Sequence, residues 1–434
     1  MSVPSSATLS KVMRLGAAAA AVIALGSGSA RAQLASDNVP RTRTIAAKEQ
    51  LDLDMQRSRF RLGPVRFVPG FQVSDTGYNS NLFGQPQNPV GDWTATVNAG
   101  SKLIVPFGPK FFFLGDAFPG YTWYAEHPDL SSFSGTAGAS IAGYFNRLSF
   151  EVGARGSQSV TTHTEQPTPS LSKNVRGFGR LEVDLTSRLA FFAGAEAQRV
   201  RETQEEPPPT PRFDVARYNR TDEAAEAGFR YTFGTAWNIA PEVSYARSDF
   251  ELNPEERNNE SLAYLLGVGY NRPRLFLRII GGFREGRPYQ GSSFPEYSTG
   301  VGSFFASYFV TPWLEAKGYG RRYVAYSADT VNPYYFSNHV GAGLNVQVHP
   351  RVLLKALAEA GESRYPIPVI FQGADVRRND EIFIYGGGAS VVLLRRLTLS
   401  AVVTRRQNNS NIPTNDYSLV QVSTFLTFSG EFLR

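Results

Sequence analysis

The stretch Tyr264–Phe283 reads YLLGVGYNRPRLFLRIIGGF; it is almost wholly apolar, yet Asn271, Arg272, Pro273 and Arg274 break it in the middle. Its spacing decides what it can form. Leu262, Tyr264, Leu266, Val268 and Tyr270 share one parity, and beyond the break Leu275, Leu277, Ile279, Gly281 and Phe283 share another run of the same kind. A period of two places alternate side chains on opposite faces of a strand, whereas a helix would need a period near 3.6. The glycines and β-branched or aromatic residues also disfavour a helix. The stretch therefore predicts two strands joined by a tight turn at Asn271–Arg274, with one bulky apolar face and one small, polar or charged face. A soluble sandwich would turn the apolar face inward, and a membrane barrel would turn it outward to lipid.

The N-terminus narrows that choice. Lys11 and Arg14 precede an apolar run from Leu15 to Leu25, and Ala30-Arg31-Ala32 offers a small-residue cleavage site before Gln33. This is the pattern of a secretory signal peptide over residues 1–32, and its apolar run is too short to span a bilayer as a helix. Without Lys11, Arg14 and Arg31 the formal charge falls from +6 to +3, too mild for a nucleic-acid binder. The chain contains no cysteine, which excludes thiolate metal sites and cysteine nucleophiles. Residues 33–62 are charged and poor in aromatics. They read as a short periplasmic segment, flexible or weakly helical, with a helix-capable piece near Ile45–Arg57.

From Gly63 to Arg434 tight and long breaks alternate. Tight ones fall at Pro106–Pro109, Asn146-Arg147, Thr186–Arg188, Gly234–Trp237, Asn271–Arg274, Thr311-Pro312, His349–Arg351 and Leu394–Arg396. Long polar ones fall at Asn79–Gly91, Glu126–Leu130, Thr164–Ser170, Glu202–Tyr218, Leu252–Asn259, Gln290–Ser293, Asp329–Pro333, Pro366–Arg378 and Gln407–Asn415. Short turns on one side and long loops on the other predict an all-β, up-and-down antiparallel transmembrane barrel of about 18 strands over residues 63–434. Aromatics near the short turns, such as Phe111–Phe113, Tyr231, Phe233, Trp237, Phe304, Phe305, Tyr308, Phe309 and Trp313, suit an interfacial girdle, and Tyr121, Trp123, Tyr124 and Tyr334–Phe336 cluster at other strand ends.

The two faces carry different chemistry. Leu148, Phe150, Val152 and Ala154 share the apolar parity, as do Leu189, Phe191, Ala193 and Ala195, and Leu397, Leu399, Ala401 and Val403. The opposite parity carries Glu151, Arg155, Arg176, Arg180, Glu182, Glu196, Glu226, Arg230, Glu242, Arg278, Arg284, Glu315, Lys317, Arg321, Lys355 and Glu359. A narrow soluble barrel has no means of burying so many charges, whereas a wide one leaves them in water. These sixteen are the candidate pore-lining residues. Their mixed signs favour general polar solutes or sugars over a strongly ion-selective channel.

Pro69-Gly-Phe-Gln-Val-Ser74 followed by Asp75-Thr-Gly-Tyr-Asn-Ser-Asn-Leu-Phe83 resembles the signature that opens barrels of the putative β-barrel porin 2 family. The resemblance continues as strand rhythm to Arg434. It implies an outer-membrane location in a Gram-negative bacterium, a lipid environment and, in some members, exopolysaccharide secretion with periplasmic export proteins as partners. Such chains commonly end on phenylalanine, and here Leu433 and Arg434 follow Phe432.

Other functions find less support. A Ser/His pair could be imagined at His163, which follows Ser159, Thr161 and Thr162, but the sequence shows no acid partner or oxyanion arrangement for a barrel enzyme such as a lipid hydrolase. Asp375, Asp380 and Glu381 read as solvated loop charge rather than a calcium site, and no cofactor is implied. Glu202–Arg212, ETQEEPPPTPR, reads equally as a loop folded over the pore or as a free surface loop. Residues 33–61 are too short for the plug domain of a TonB-type receptor. The expectation is a polar pore for diffusion of small solutes or for polysaccharide export, with a structural or adhesive barrel of blocked lumen as the alternative.

Overall fold

The computed structural model describes residues 48–58, 60–163, 165, 168–204, 213–394 and 396–429. The expected signal peptide over residues 1–32, all of residues 33–47, Pro207–Pro211 and Phe432–Arg434 lie outside them. Helix α1 (Lys48–Arg57) leads through a short strand, Phe60–Leu62, into the barrel. That short strand pairs only with the start of β1, in a tight hairpin closed by Leu62 and Val65.

Eighteen long strands make the wall. In chain order the first six are β1 (Val65–Asn79), β2 (Asp92–Phe107), β3 (Phe111–Tyr124), β4 (Ser132–Tyr144), β5 (Leu148–Thr162) and β6 (Pro169–Asp184). Then come β7 (Leu189–Thr203), β8 (Arg220–Phe233), β9 (Trp237–Phe250), β10 (Asn259–Arg272), β11 (Leu275–Pro288) and β12 (Tyr297–Thr311). The last six are β13 (Leu314–Tyr326), β14 (Tyr334–His349), β15 (Val352–Arg364), β16 (Asn379–Leu394), β17 (Leu397–Ser410) and β18 (Tyr417–Ser429). Each pairs antiparallel with its sequence neighbours, and β1 pairs with β18, which closes the cylinder and leaves no free edge. All eight expected turns and all nine expected loops fall between these strands. The Gln407–Asn415 break starts later than expected, because β17 continues to Ser410.

The faces follow the parity read from the sequence. Val152, Val175, Val243, Tyr264, Leu266, Val340, Leu344 and Val403 are all exposed. This is the inverse of a soluble protein and the pattern a lipid-facing wall requires. Trp237 and Arg247 are outward on β9 and ten residues apart. At about 3.3 Å per residue and a tilt near 40°, they are separated by roughly 25 Å of membrane depth, the height of an apolar band. The girdle is narrower than expected. Phe112 faces the lumen, where it packs under α1, and Tyr334 and Tyr335 are buried among the external loops.

The Pro69–Phe83 stretch has a structural role. Asp75 takes a left-handed conformation (φ 51°) at a register shift where β1 meets β18. A Cβ on Gly77 would stand 1.7 Å from the Val422 carbonyl oxygen, so only glycine allows that approach. Val420 N–H donates to Ser80 Oγ at 2.8 Å, and Asn81 Nδ2 donates to the Ser418 carbonyl at 3.1 Å. The motif fastens the last strand to the first.

Candidate functional site

The lumen wall is built from partly exposed ion pairs. Arg155 pairs with Asp116 two strands away, across Gly138, where a Cβ would stand 3.0 Å from the guanidinium. Arg230 pairs with Glu182, and Arg176 lies 3.7 Å from Glu196. Lys317 lies 3.4 Å from Glu315, and Glu359 accepts from His339 Nδ1 at 2.7 Å with Arg321 at 3.7 Å. The Arg176 and Arg180 guanidiniums both lie over the Phe178 ring, at 5.4 and 4.7 Å. Every one of the sixteen candidates sits on the inward parity, and counting Asp116 the wall carries nine basic and eight acidic groups. Such pairs add about 0–1 kcal/mol each to stability. Their larger effect is to cancel the net field along the lumen.

Two candidates depart from that picture. Glu242 and Arg284 are 5% and 3% exposed, so they belong to the body of the wall rather than to its wet surface. Beside them Ala263, Leu265, Ile280 and Val301 form a buried cluster on the inward parity. The sequence reading treated that parity as uniformly small or polar, and here it is apolar.

Both mouths are narrowed by the chain itself. At the end with short turns, α1 docks inside: Leu51 and Met55 pack on Ile104, Phe112, Leu114, Ala142 and Tyr144 of β2–β4. The expected tail is therefore, over Lys48–Arg57, a helix seated in the mouth. At the opposite end the long loops converge into a roof. Glu165, between β5 and β6, accepts from Ser327 Oγ at 2.7 Å and the Ala328 amide at 2.5 Å, both between β13 and β14. It also accepts from Tyr218 Oη, between β7 and β8, and from Tyr365 Oη at 3.1 Å, between β15 and β16. Loops eight strands apart in a ring of eighteen face each other across the opening, so this carboxylate ties the roof over the lumen.

Further contacts complete the roof. Arg257 donates to the Ser327 carbonyl at 2.6 Å, and burial, followed by nearby Arg217, lowers its pKa to about 10. Arg378 binds Asp380 at 2.6 Å and lies over Tyr365 and Phe213. Asp380 is thus a buried partner rather than a solvated loop charge. Phe213, Val215 and Tyr218 pack with Ala328, which places the end of the Glu202–Tyr218 loop over the mouth; residues 205–212 lie outside the described residues. The tops of β13 and β14 lean in too. Pairing of β12 with β13 stops at Gly302–Arg322, and Tyr326 Oη reaches Ser248 and Asn259 across the lumen at 2.8 and 3.0 Å.

His163 has the acid partner the sequence did not show. Its Nε2 lies 2.5 Å from Glu202 Oε2, and its ring stacks on Tyr218 at 4.1 Å. Burial disfavours the imidazolium, but Glu202 outweighs it and raises the imidazole pKa. The serine in this group, Ser170, donates to Glu202 at 3.0 Å rather than to the imidazole, so no base activates its hydroxyl. The cluster is a packed roof element. Among the described residues no group of three His, Asp or Glu converges to hold a metal.

No protein-family model matches the chain, and no curated protein matches it. Solved structures do. The outer membrane protein OpdK from Pseudomonas aeruginosa superposes with TM-score 0.50 at 11% identity, over 84% of this chain and 99% of that one. OccAB3 from Acinetobacter baumannii gives 0.49 at 12% identity, over 85% and 100%. OccK3 from Pseudomonas aeruginosa gives 0.48 at 13% identity, over 87% and 97%. At 11% identity the OpdK likeness is one of fold, and it agrees with the lipid-facing band: the chain has the fold of an outer-membrane β-barrel.

Proposed function

We propose that the protein is an outer-membrane pore for small polar solutes with little charge preference, gated at its extracellular mouth by its own loops. The observation that carries this is the lumen wall, where partly exposed acids and bases alternate in pairs and leave the passage wet but nearly neutral. Solvent-exposed pairs set a weak local potential, which neither excludes nor strongly concentrates ions. His339 Nε2 lies 3.0 Å from Ser337 Oγ and its Nδ1 2.7 Å from Glu359, the partners of a nucleophile–base pair, but Ser337 is 1% exposed and its hydroxyl has no room beside it for a substrate, so transport rather than hydrolysis is the reading. The Pro69–Phe83 resemblance supports kinship with the putative β-barrel porin 2 family. Export of a polymer, which that resemblance implied, requires the Glu165 roof to swing away entirely. Liposome swelling tests the proposal: mono- and disaccharides should enter at rates set by size, and entry should rise when the roof is unpinned. A barrel impermeable to every sugar with the roof both intact and unpinned would leave the structural-barrel alternative in its place.

A further inference from the structure

We infer, on the reading of the barrel as a pore, that the inner face of β11–β13 carries a binding site for a pyranose ring, with Phe276 and Phe305 as the platform for the apolar face of the sugar. On the eighteen long strands, the large apolar side chains that stay exposed face outward to lipid. Among the described residues the inward exceptions are Phe276, Phe305 and, at the irregular end of β16, Leu394. Phe276 and Phe305 are neighbours, 41% and 37% exposed, with ring centroids 6.0 Å apart. Ile280 and Val301, just above them on the same inward face, are buried. An aromatic pair left uncovered in a wet lumen, beside apolar residues that are covered, is the mark of a surface kept for a ligand. Helix α1 fills the mouth from β2–β4, on the opposite side of the ring from β11–β13, so the passage left beside it runs past these two rings.

The surroundings favour a neutral ring with many hydroxyls. Arg278 stands opposite Phe305 on one side and Tyr319 on the other. Tyr319 lies across Gly341, where a Cβ would stand 2.4 Å from its ring, and its hydroxyl donates to Glu359. Each charge next to the rings has an opposite one at hand. Lys317 lies 3.4 Å from Glu315, Arg321 lies 3.7 Å from Glu359, and Arg278 is within electrostatic reach of Glu242. Lys355 leaves one base in surplus, but it sits on β15, at the level of Glu315 and two strands beyond it. An anion would have to draw Arg278 or Lys317 away from its acid, whereas a hydroxyl bonds to either member of a pair without breaking it. A pyranose presents C–H groups on one face, which pack on an aromatic ring, and hydroxyls around its edge, which take up paired donors and acceptors. A linear polyol has the hydroxyls without the face.

Saturation-transfer difference NMR on the full chain in lauryldimethylamine oxide micelles reads binding without requiring conduction, and liposome swelling reads permeation separately. With methyl α-glucoside, mannitol and benzoate as probes, the glucoside should bind in the millimolar range through its ring C–H protons, and mannitol should bind about ten-fold more weakly. Phe305→Ala and Phe276→Ala should each weaken glucoside binding about three- to ten-fold, the worth of one ring contact. Phe304→Ala, one residue along and facing lipid, should leave binding unchanged, and heat-modifiable migration shows that each variant folds. Equal binding of glucoside and mannitol, tighter binding of benzoate than of glucoside, or insensitivity to both inward substitutions would each overturn the site. Sugar entry into liposomes without detectable binding would remove the site and leave the pore. Binding without entry, with the roof intact or unpinned, would remove the pore and leave the site.

Discussion

The lumen wall and the extracellular roof are both rich in charge, yet they use it in opposite ways. On the wall Arg155 is 52% exposed beside Asp116 and Glu196 is 33% exposed beside Arg176. In the roof Glu165, Glu202, Arg257 and Arg378 are 5%, 6%, 1% and 1% exposed. A wet pair keeps its hydration and contributes little stability, so its removal alters the field and not the fold. A buried charge has lost its hydration and depends on each partner it touches, so its removal alters the fold locally. On the proposed reading, the difference assigns selectivity to the wall and closure to the roof.

Glu165→Ala should have the largest effect, because it leaves the Tyr218 and Tyr365 hydroxyls, the Ser327 hydroxyl and the Ala328 amide without their acceptor. Each orphaned buried group costs about 1–3 kcal/mol, enough to release loops from four points of the rim. Single-channel conductance in planar bilayers should rise several-fold while the barrel stays resistant to unfolding in the gel. Unchanged conductance would mean that the roof is not the gate.

A change on the lipid face comes next, since it affects insertion but neither roof nor wall. Leu266→Arg places a cation near the middle of the apolar band and should destabilise the folded barrel by about 2–4 kcal/mol in urea titrations. Gly267→Ser, one residue along and facing the lumen, should be close to silent, because a Cβ there meets only ordinary contacts at 3.4 Å or more. Reversal of this order would invert the assignment of faces.

How far the sequence could reach follows from the same contrast. The wall was legible because parity is a local property: Arg176, Phe178 and Arg180 share a face whatever else the chain does. Turns such as Asn271–Arg274 were legible for the same reason. The roof was not, because Glu165 stands 162 and 200 residues from Ser327 and Tyr365 and meets them only once the barrel has closed. His163 shows the point at one residue: its partner Glu202 lies on β7, 39 positions away, so the local reading found no acid beside it. Helix α1 was half legible. Its helical character is in the sequence, but its seat on Phe112 and Tyr144 depends on three strands that come later.

The His163–Glu202 pair makes the roof pH-dependent. The imidazole pKa is raised in the folded roof, so the pair contributes fully below the ordinary histidine value near about 6.5 and is lost as pH rises through the folded value. Alkaline conditions should therefore increase the open probability, and His163→Gln should flatten that dependence across pH 5–9 without altering the conductance of the open state. A pH profile unchanged in His163→Gln would assign the titration to another group.

The smallest effect belongs to the wall, and it is distinguished by its sign. Arg176→Gln removes one cation from a pair whose members are 19% and 33% exposed, and Glu196→Gln removes its partner. Either change should alter stability by no more than about 0–1 kcal/mol, since both groups keep much of their hydration. Their effects on reversal potential under a salt gradient should be opposite. Arg176→Gln should shift selectivity toward cations and Glu196→Gln toward anions, because each unmasks the other charge at close range. Both shifts should shrink at 1 M salt, where screening acts within about 3 Å. A roof-pinned barrel would mute them, so the comparison is cleanest in the Glu165→Ala background. Shifts of the same sign there would mean that the pair does not face the conducting path, and the lumen assignment of β6 and β7 would have to be abandoned.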